Sequence, residues 1–426
     1  MLPITERTIA PGVTLRAVQT KKFKTATLAA TFLEPLQAET ASLNALLPKV
    51  LRRGTQAHPD METLSAALDD LYGGSIEPVV RKKGEVQCVG FWGSFLDDAF
   101  VPPGVKLLEP AAALLGQLIL DPAGEGIFLS EYVESEKANL MDRIRAEIND
   151  KLQYSVSRLR EAMCGGEAYG VGRMGSLETA EAITGEALYS RWEEMIASAP
   201  LYLYYCGSAD TDRVEAAFRA AFASLPNGER GAIPKTLYSA GNTGPVNRVS
   251  EAMDVTQGKL VLGFRLGTTY RTMEEVARAT LFSAVYGGST NSKLFLNVRE
   301  KLSLCYFASS SLAMSKGVML VYSGVEFANF RRAEEEILAQ LQACQEGEIT
   351  PEELEAARLS AVNSFKAALD AQGRLEEYWL NRFFSGTDFT PEELAEAISK
   401  VTLDEVTAVA KEIRLDTIFT LTGKEP

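Results

Sequence analysis

Four landmarks occur twice in this chain in the same order, and two copies of one pattern must build two copies of one packing unit. A strand-like ATLAATFL (26–33) leads into a helical pattern that stops at Gly54-Thr55, and GKLVLGFRL (258–266) leads into MEEVARATLFSAVYGGST, which stops at Gly287-Gly288. LDDLYGGSIEPVVRKKGEVQCVGFWG (68–93) then matches VREKLSLCYFASSSLAMSKGVMLVYSG (298–324), a helix end followed by two alternating strands joined by a basic-Gly turn. TAEAITGEAL (179–188) with LYLYYCG (201–207) matches LAEAISKVTLDEV (394–406) with TIFTLTG (417–423).

Between the copies, LPNGERGAIPKTLYSAGNTGPVN (225–247) is rich in Pro, Gly and Asn and has no sustained period, the composition of a linker. This divides the chain into 1–224, a linker at 225–247, and 248–426. TPEEL at 350–354 and again at 390–394 predicts two helix starts, with Thr350 or Thr390 as N-cap, Pro first and Glu third. In the first half, Val133, Leu140, Ile144 and Ile148 predict a long helix opened by Ser130. Strands and helices are segregated rather than strictly alternated, so each half reads as a sheet with helices packed on one face, and the class is α+β, duplicated.

Composition excludes several functions. A chain of 426 residues, 46% hydrophobic, has enough apolar material for two cores. Its 43 basic against 57 acidic residues give a net charge of -14, which argues against a nucleic-acid partner. MLPITERTIAPG carries no apolar run behind a positive segment and no later window reaches spanning length, so a cytoplasmic protein with no membrane association is expected. Cys88, Cys164, Cys206, Cys305 and Cys344 are scattered and odd in number, which fits small buried residues better than disulfides or a zinc site. The single histidine, His58, lies before a proline in a polar turn and reads as an exposed turn residue. Sites built from several imidazoles are therefore excluded. Gly-Gly pairs at 73, 165 and 287 read as turns, because no Gly-Lys-Ser/Thr follows them.

The first helix, NALLPKVLRRGT (44–55), has apolar residues at Leu43, Leu46, Leu47, Val50 and Leu51, with polar positions at Asn44, Lys49, Arg52 and Arg53. Together with LDDLYGG and above all YGGSTNSKLFLNVREKLSLCY (286–306), it resembles the pitrilysin/insulinase/mitochondrial-processing-peptidase family over nearly the whole chain. That resemblance implies two halves facing each other as a clamshell. TKKFKTATL, LPKVLRRGT, RKKGE and EKANLMDRI are similar to a non-catalytic bacterial branch associated with aminopentanol modification of elongation factor P.

Active members of that family carry His-x-x-Glu-His on the first helix and a glutamate on a later one. Anchored on Gly54-Thr55, those positions fall on Ala45, Leu46, Leu47, Pro48 and Lys49, and the later glutamate falls near Asp142 or Arg143. The resemblance thus implies degenerate metal positions at Ala45, Pro48, Lys49 and Arg143, no metal, no cofactor, and no catalytic residue of the chain's own. Two cations about 4 Å apart repel by about 4 kcal/mol at an effective dielectric of about 20, and a divalent ion would add to that. The bland expectation is that Lys49 pairs with a nearby carboxylate such as Asp142.

Arg299 and Tyr306 match the family's Arg and Tyr that hold substrate carbonyls and the developing oxyanion, tasks suited to a guanidinium fork and a phenol donor. The competing reading is a surface ion pair and a half-buried aromatic on a strand. SIEPVV (75–80) corresponds to the edge strand offered to a bound peptide, where Pro78 weakens strand addition. In two-chain members the zinc and the Arg-Tyr pair lie on different subunits. Two functions follow: partner subunit of a zinc-bearing homologue, supplying auxiliary substrate-binding residues, or a peptide- or protein-binding scaffold with no part in proteolysis.

Overall fold

The computed structural model describes residues 3–124, 126–241 and 244–424. It divides into two compact units, Met1–Arg145 with Val171–Lys235, and Ala146–Gly170 with Thr236–Pro426. In the first, β1 (Ile4–Ala10), β2 (Val13–Gln19) and β3 (Thr25–Pro35) precede α1 (Ala38–Leu51) and α2 (Met61–Asp70). The hairpin β4 (Ser75–Lys83) and β5 (Val86–Leu96) follows, then α3 (Leu108–Leu120) and α4 (Ser130–Ala146). The chain enters the second unit as α5 (Lys151–Cys164) and returns as α6 (Leu177–Glu181), α7 (Gly185–Ser198), β6 (Leu201–Gly207) and α8 (Thr211–Ala221).

The second unit continues with β7 (Asn247–Met253), β8 (Gly258–Arg265), α9 (Met273–Tyr286), a π-helical turn at Leu294–Lys301, β9 (Cys305–Ala313) and β10 (Val318–Val325). It ends with α10 (Phe330–Glu346), α11 (Pro351–Ala368), α12 (Gln372–Ser385), α13 (Pro391–Lys400), α14 (Leu403–Lys411) and β11 (Arg414–Gly423). Both TPEEL segments start helices through reciprocal caps: Thr350 Oγ1 accepts from the Glu353 amide, and the Glu353 carboxylate accepts from the Thr350 amide at 2.9 Å. Thr390 and Glu393 repeat the arrangement.

The duplication is visible strand by strand. The first sheet runs β1-β2-β6-β3-β5-β4 and the second β7-β11-β8-β10-β9. Without β1, each order has one parallel pair at the same place, β2 with β6 and β7 with β11, and antiparallel pairs elsewhere. The hydrophobic pattern fixes these registers because a slip of one residue would turn every core side chain to the wrong face.

Two expectations are corrected here. Ile148 does not continue the α4 helix; it lies 41% exposed within the short 3-10 turn Glu147–Asn149, and Asp150 starts a new helix by accepting from the amides of Leu152 and Gln153. Residues 146–170, placed in the first half by the sequence, belong to the second unit, because Val156, Leu159 and Met163 of α5 pack against Val261, Val318 and Phe419 of its sheet. Gly263 permits the close approach: a Cβ there would lie 2.6 Å from Met163 Sδ and 3.0 Å from Leu159 Cδ2. Arg265 adds hydrogen bonds to Met163 O at 2.9 Å and Glu167 Oε1 at 2.7 Å, while buried Lys316 contacts Glu167 Oε2 at 2.5 Å. The second sheet is thereby covered on the face opposite its main helices.

The Pro/Gly/Asn-rich connection is held at two points. Arg230 donates to Ala199 O and Ile196 O in the first unit, both at 2.6 Å. In the second, Lys316 Nζ donates to Leu237 O at 2.7 Å and the Tyr238 hydroxyl to Leu266 O at 3.1 Å.

Candidate functional site

On α1, Ala45 is 2% exposed within the apolar core and Pro48 is buried inside the helix. Neither offers a donor atom to a metal. Lys49 is half-buried; burial and then the Arg143 charge push its ammonium below the ordinary lysine value, against the carboxylates of Glu136 and Glu77. Asp142 is not its partner, because that carboxylate pairs with Arg145 at 2.9 Å on the exposed side of α4. Glu136 pairs instead with Arg53 at 3.1 Å. Among the described residues no group of three or more His, Cys, Asp or Glu side chains could hold a metal ion. The zinc that the resemblance brings to mind does not fit the residues at these positions.

Asn44 is a polar residue of this helix with an unanticipated place. It is fully buried, donating to Gln87 Oε1 at 2.9 Å and accepting from Arg191 Nε at 2.8 Å. Arg191 also contacts Glu34 at 2.6 Å, and Gln87 donates to Ala41 O at 2.9 Å. The helix is therefore tied to β3, β5 and α7 by a satisfied polar network, which accounts for its persistence without a metal. His58 is half-buried in its turn, where its amide donates to Thr55 Oγ1 at 3.0 Å.

The β4 edge is partly closed. Arg52 Nε donates to Ile76 O at 2.7 Å, and Pro78, two residues on and thus with its backbone on the same side, has no N–H. Since Arg52 cannot sit between β4 and β5, the capped side is the free one. An incoming strand finds one acceptor taken and one donor missing.

Arg299 and Tyr306 come together in the second unit. They line an open cavity of about 370 Å³ with Glu300, Ser303, Leu304, Cys305 and Glu326. Arg299 comes from the π-helical turn, a form found mostly where function or strain imposes it, and Ser303 just after it has φ 49°, in the left-handed region. The Arg299 guanidinium lies 4.6 Å from the Phe295 ring centre and 3.4 Å from Glu300. Tyr306, the second residue of β9, has 60% of its surface exposed, well beyond the half-buried alternative, and among the described residues its hydroxyl reaches only Glu326 Oε1, at 3.5 Å. Burial pushes the Cys305 thiol up, which disfavours its thiolate. The other cysteines are likewise buried, and none is in a disulfide. The cavity presents donors, an arginine and a phenol, with no general base paired to a nucleophile.

A family model described as the peptidase M16 inactive domain matches residues 182–360. The chain is 34% identical over 420 residues to the probable inactive metalloprotease YmfF of Bacillus subtilis strain 168, covering 97% of this chain and 96% of that protein. A solved structure of a conserved protein from Enterococcus faecalis V583 matches with a TM-score of 0.89 at 27% identity, over 99% of each chain. A putative M16-like peptidase from Alicyclobacillus acidocaldarius matches at 0.78 with 16% identity over 99% of each chain, a likeness of fold alone. The chain belongs to the M16 peptidase family and is one of its inactive metalloprotease homologues, not catalytic by itself.

Proposed function

We propose that this chain is the non-catalytic subunit of a two-chain peptidase, in which a homologous partner bears the zinc and this chain supplies Arg299 and Tyr306 to the partner's substrate. The observation that carries this reading is the convergence of both donors on one cavity in a chain whose first helix places no metal-ligating side chain at Ala45, Pro48 or Lys49. The guanidinium would hold a substrate carbonyl, and the phenol would donate to charge developing on the oxygen of the scissile group. Affinity purification from native lysate tests it: a His-x-x-Glu-His homologue should co-purify in stoichiometric amount, and its absence overturns the pairing.

The finer part of the reading places this complex in the cytoplasm, in the modification of elongation factor P, on the strength of the sequence resemblance in TKKFKTATL and EKANLMDRI. No helix among the described residues is long and apolar enough to cross a membrane. Mass spectrometry of elongation factor P from cells lacking the chain checks that link; an unchanged modified fraction removes it. A second reading, a binding scaffold without a role in proteolysis, is favoured by the capped Ile76 carbonyl and Pro78 at the β4 edge, which leave strand addition weak.

A further inference from the structure

Antiparallel pairing of β9 with β10 sets Phe307 opposite Gly324 and Cys305 opposite Val325, so Tyr306 is the extra residue of a bulge at the end of the ribbon, where its hydroxyl meets Glu326 at 3.5 Å. Both line the Arg299 cavity. The cavity's one guanidinium is already turned to Glu300 and stacked on Phe295. Glu326 is exposed, and its carboxylate makes no ion pair among the described residues; its one side-chain contact is the Tyr306 hydroxyl at 3.5 Å, the limit of a hydrogen bond. One arginine against two glutamates leaves the lining with a carboxylate in excess. A carboxylate only accepts, so this wall discriminates in favour of donors, most strongly of charged ones, and both glutamates repel an anion.

We infer that Glu326 makes the Arg299–Tyr306 cavity selective for a substrate peptide carrying a cationic group, a lysine or arginine side chain or a free amino terminus. The inference rests on the reading of the cavity as a substrate site. It also gives Tyr306 a cue: the hydroxyl is turned toward Glu326, and a cation seated on that carboxylate replaces it, freeing the phenol proton for a substrate carbonyl. Glu326 is thus a specificity residue placed one side chain away from the proposed oxyanion donor. The chain's net charge of -14 favours the approach of the same class of peptide.

The test is equilibrium binding of the full chain to fluorescein-labelled pools of amidated hexapeptides with one position fixed as Lys, Gln or Glu, each pool prepared with an acetylated and with a free amino terminus. The Lys pool should bind about tenfold more tightly than the Gln pool, and the Glu pool least. Glu326→Gln should bring Lys down to the level of Gln, and Glu326→Lys should move the preference to Glu, while Arg299→Ala weakens every pool and keeps their order. A preference seen only with the free terminus supports the role of Glu326 and assigns the cation to the terminus. If both Glu326 variants keep the original order while Arg299→Ala still weakens binding, the inference is overturned and the substrate-site reading stands. If the wild-type chain binds no pool, or Arg299→Ala changes nothing, both fall. Glu326 is exposed, so its variants are expected to fold, which far-ultraviolet circular dichroism checks.

Discussion

Lys49 and Ala45 decide what the first helix cannot do. A cation pushed toward neutrality by burial and by Arg143, beside a buried methyl group, repels a divalent ion where it does not simply ignore it. The purified chain should therefore carry no stoichiometric zinc after dialysis against a weak chelator, as measured by elemental analysis; about one zinc per chain would contradict this. These residues were legible in the sequence because a missing ligand is visible letter by letter. Asn44 was not: helical spacing put it among the polar positions, and only the fold shows Gln87 and Arg191 arriving from other elements to satisfy it inside the core. The same holds for Lys49, whose neighbouring carboxylates are Glu136 of α4 and Glu77 of β4 rather than Asp142. Arg299 and Tyr306 could be picked out by motif, but their meeting in one cavity with Glu326 depends on the register of β9 against β10.

At the scale of elements, the informative one is α5, drawn by the duplicated pattern into the first half and by its packing into the second unit. A sequence signal existed in Gly263, a glycine in the interior of a strand, which marks close approach of another element. Which element approaches was not readable, because α5 is amphipathic whichever sheet it covers. Glu167 anchors it: burial opposes ionisation of that carboxyl, but the hydrogen bonds and charges of Arg265 and Lys316 outweigh burial and hold it below the ordinary value of 4.5. A depressed native value stabilises the fold fully above the unfolded value and loses that contribution as pH falls through the native one. Glu167→Gln should accordingly lower stability by about 3 kcal/mol at pH 7, since it removes the carboxylate that balances the charges of Arg265 and buried Lys316, and the deficit should shrink below about pH 4.5. Thermal melts of both proteins across pH 3 to 7 measure this; a deficit independent of pH would contradict the ionic anchor.

For the whole molecule, the duplicated topology was readable from four repeated landmarks, whereas the discontinuous division of the chain was not. Trypsin should cut first after exposed Lys235, between the anchors at Arg230 and Leu237, as exposed connections are cut before packed elements. The two fragments should then co-elute under native conditions and separate in denaturant, because residues 146–170 of the first fragment supply part of the second unit's core; native separation would contradict the division. The central claim, that this inactive homologue lends donors to a zinc-bearing partner, is tested most directly by peptide cleavage with the reconstituted pair carrying Tyr306→Phe. Losing one preorganised oxyanion donor costs about 3 to 4 kcal/mol of transition-state stabilisation. Turnover should fall by about two to three orders of magnitude while size-exclusion chromatography shows the complex intact, because the ring and its packing are kept. Unchanged turnover in an intact complex, for Tyr306→Phe and for Arg299→Ala alike, would contradict the account.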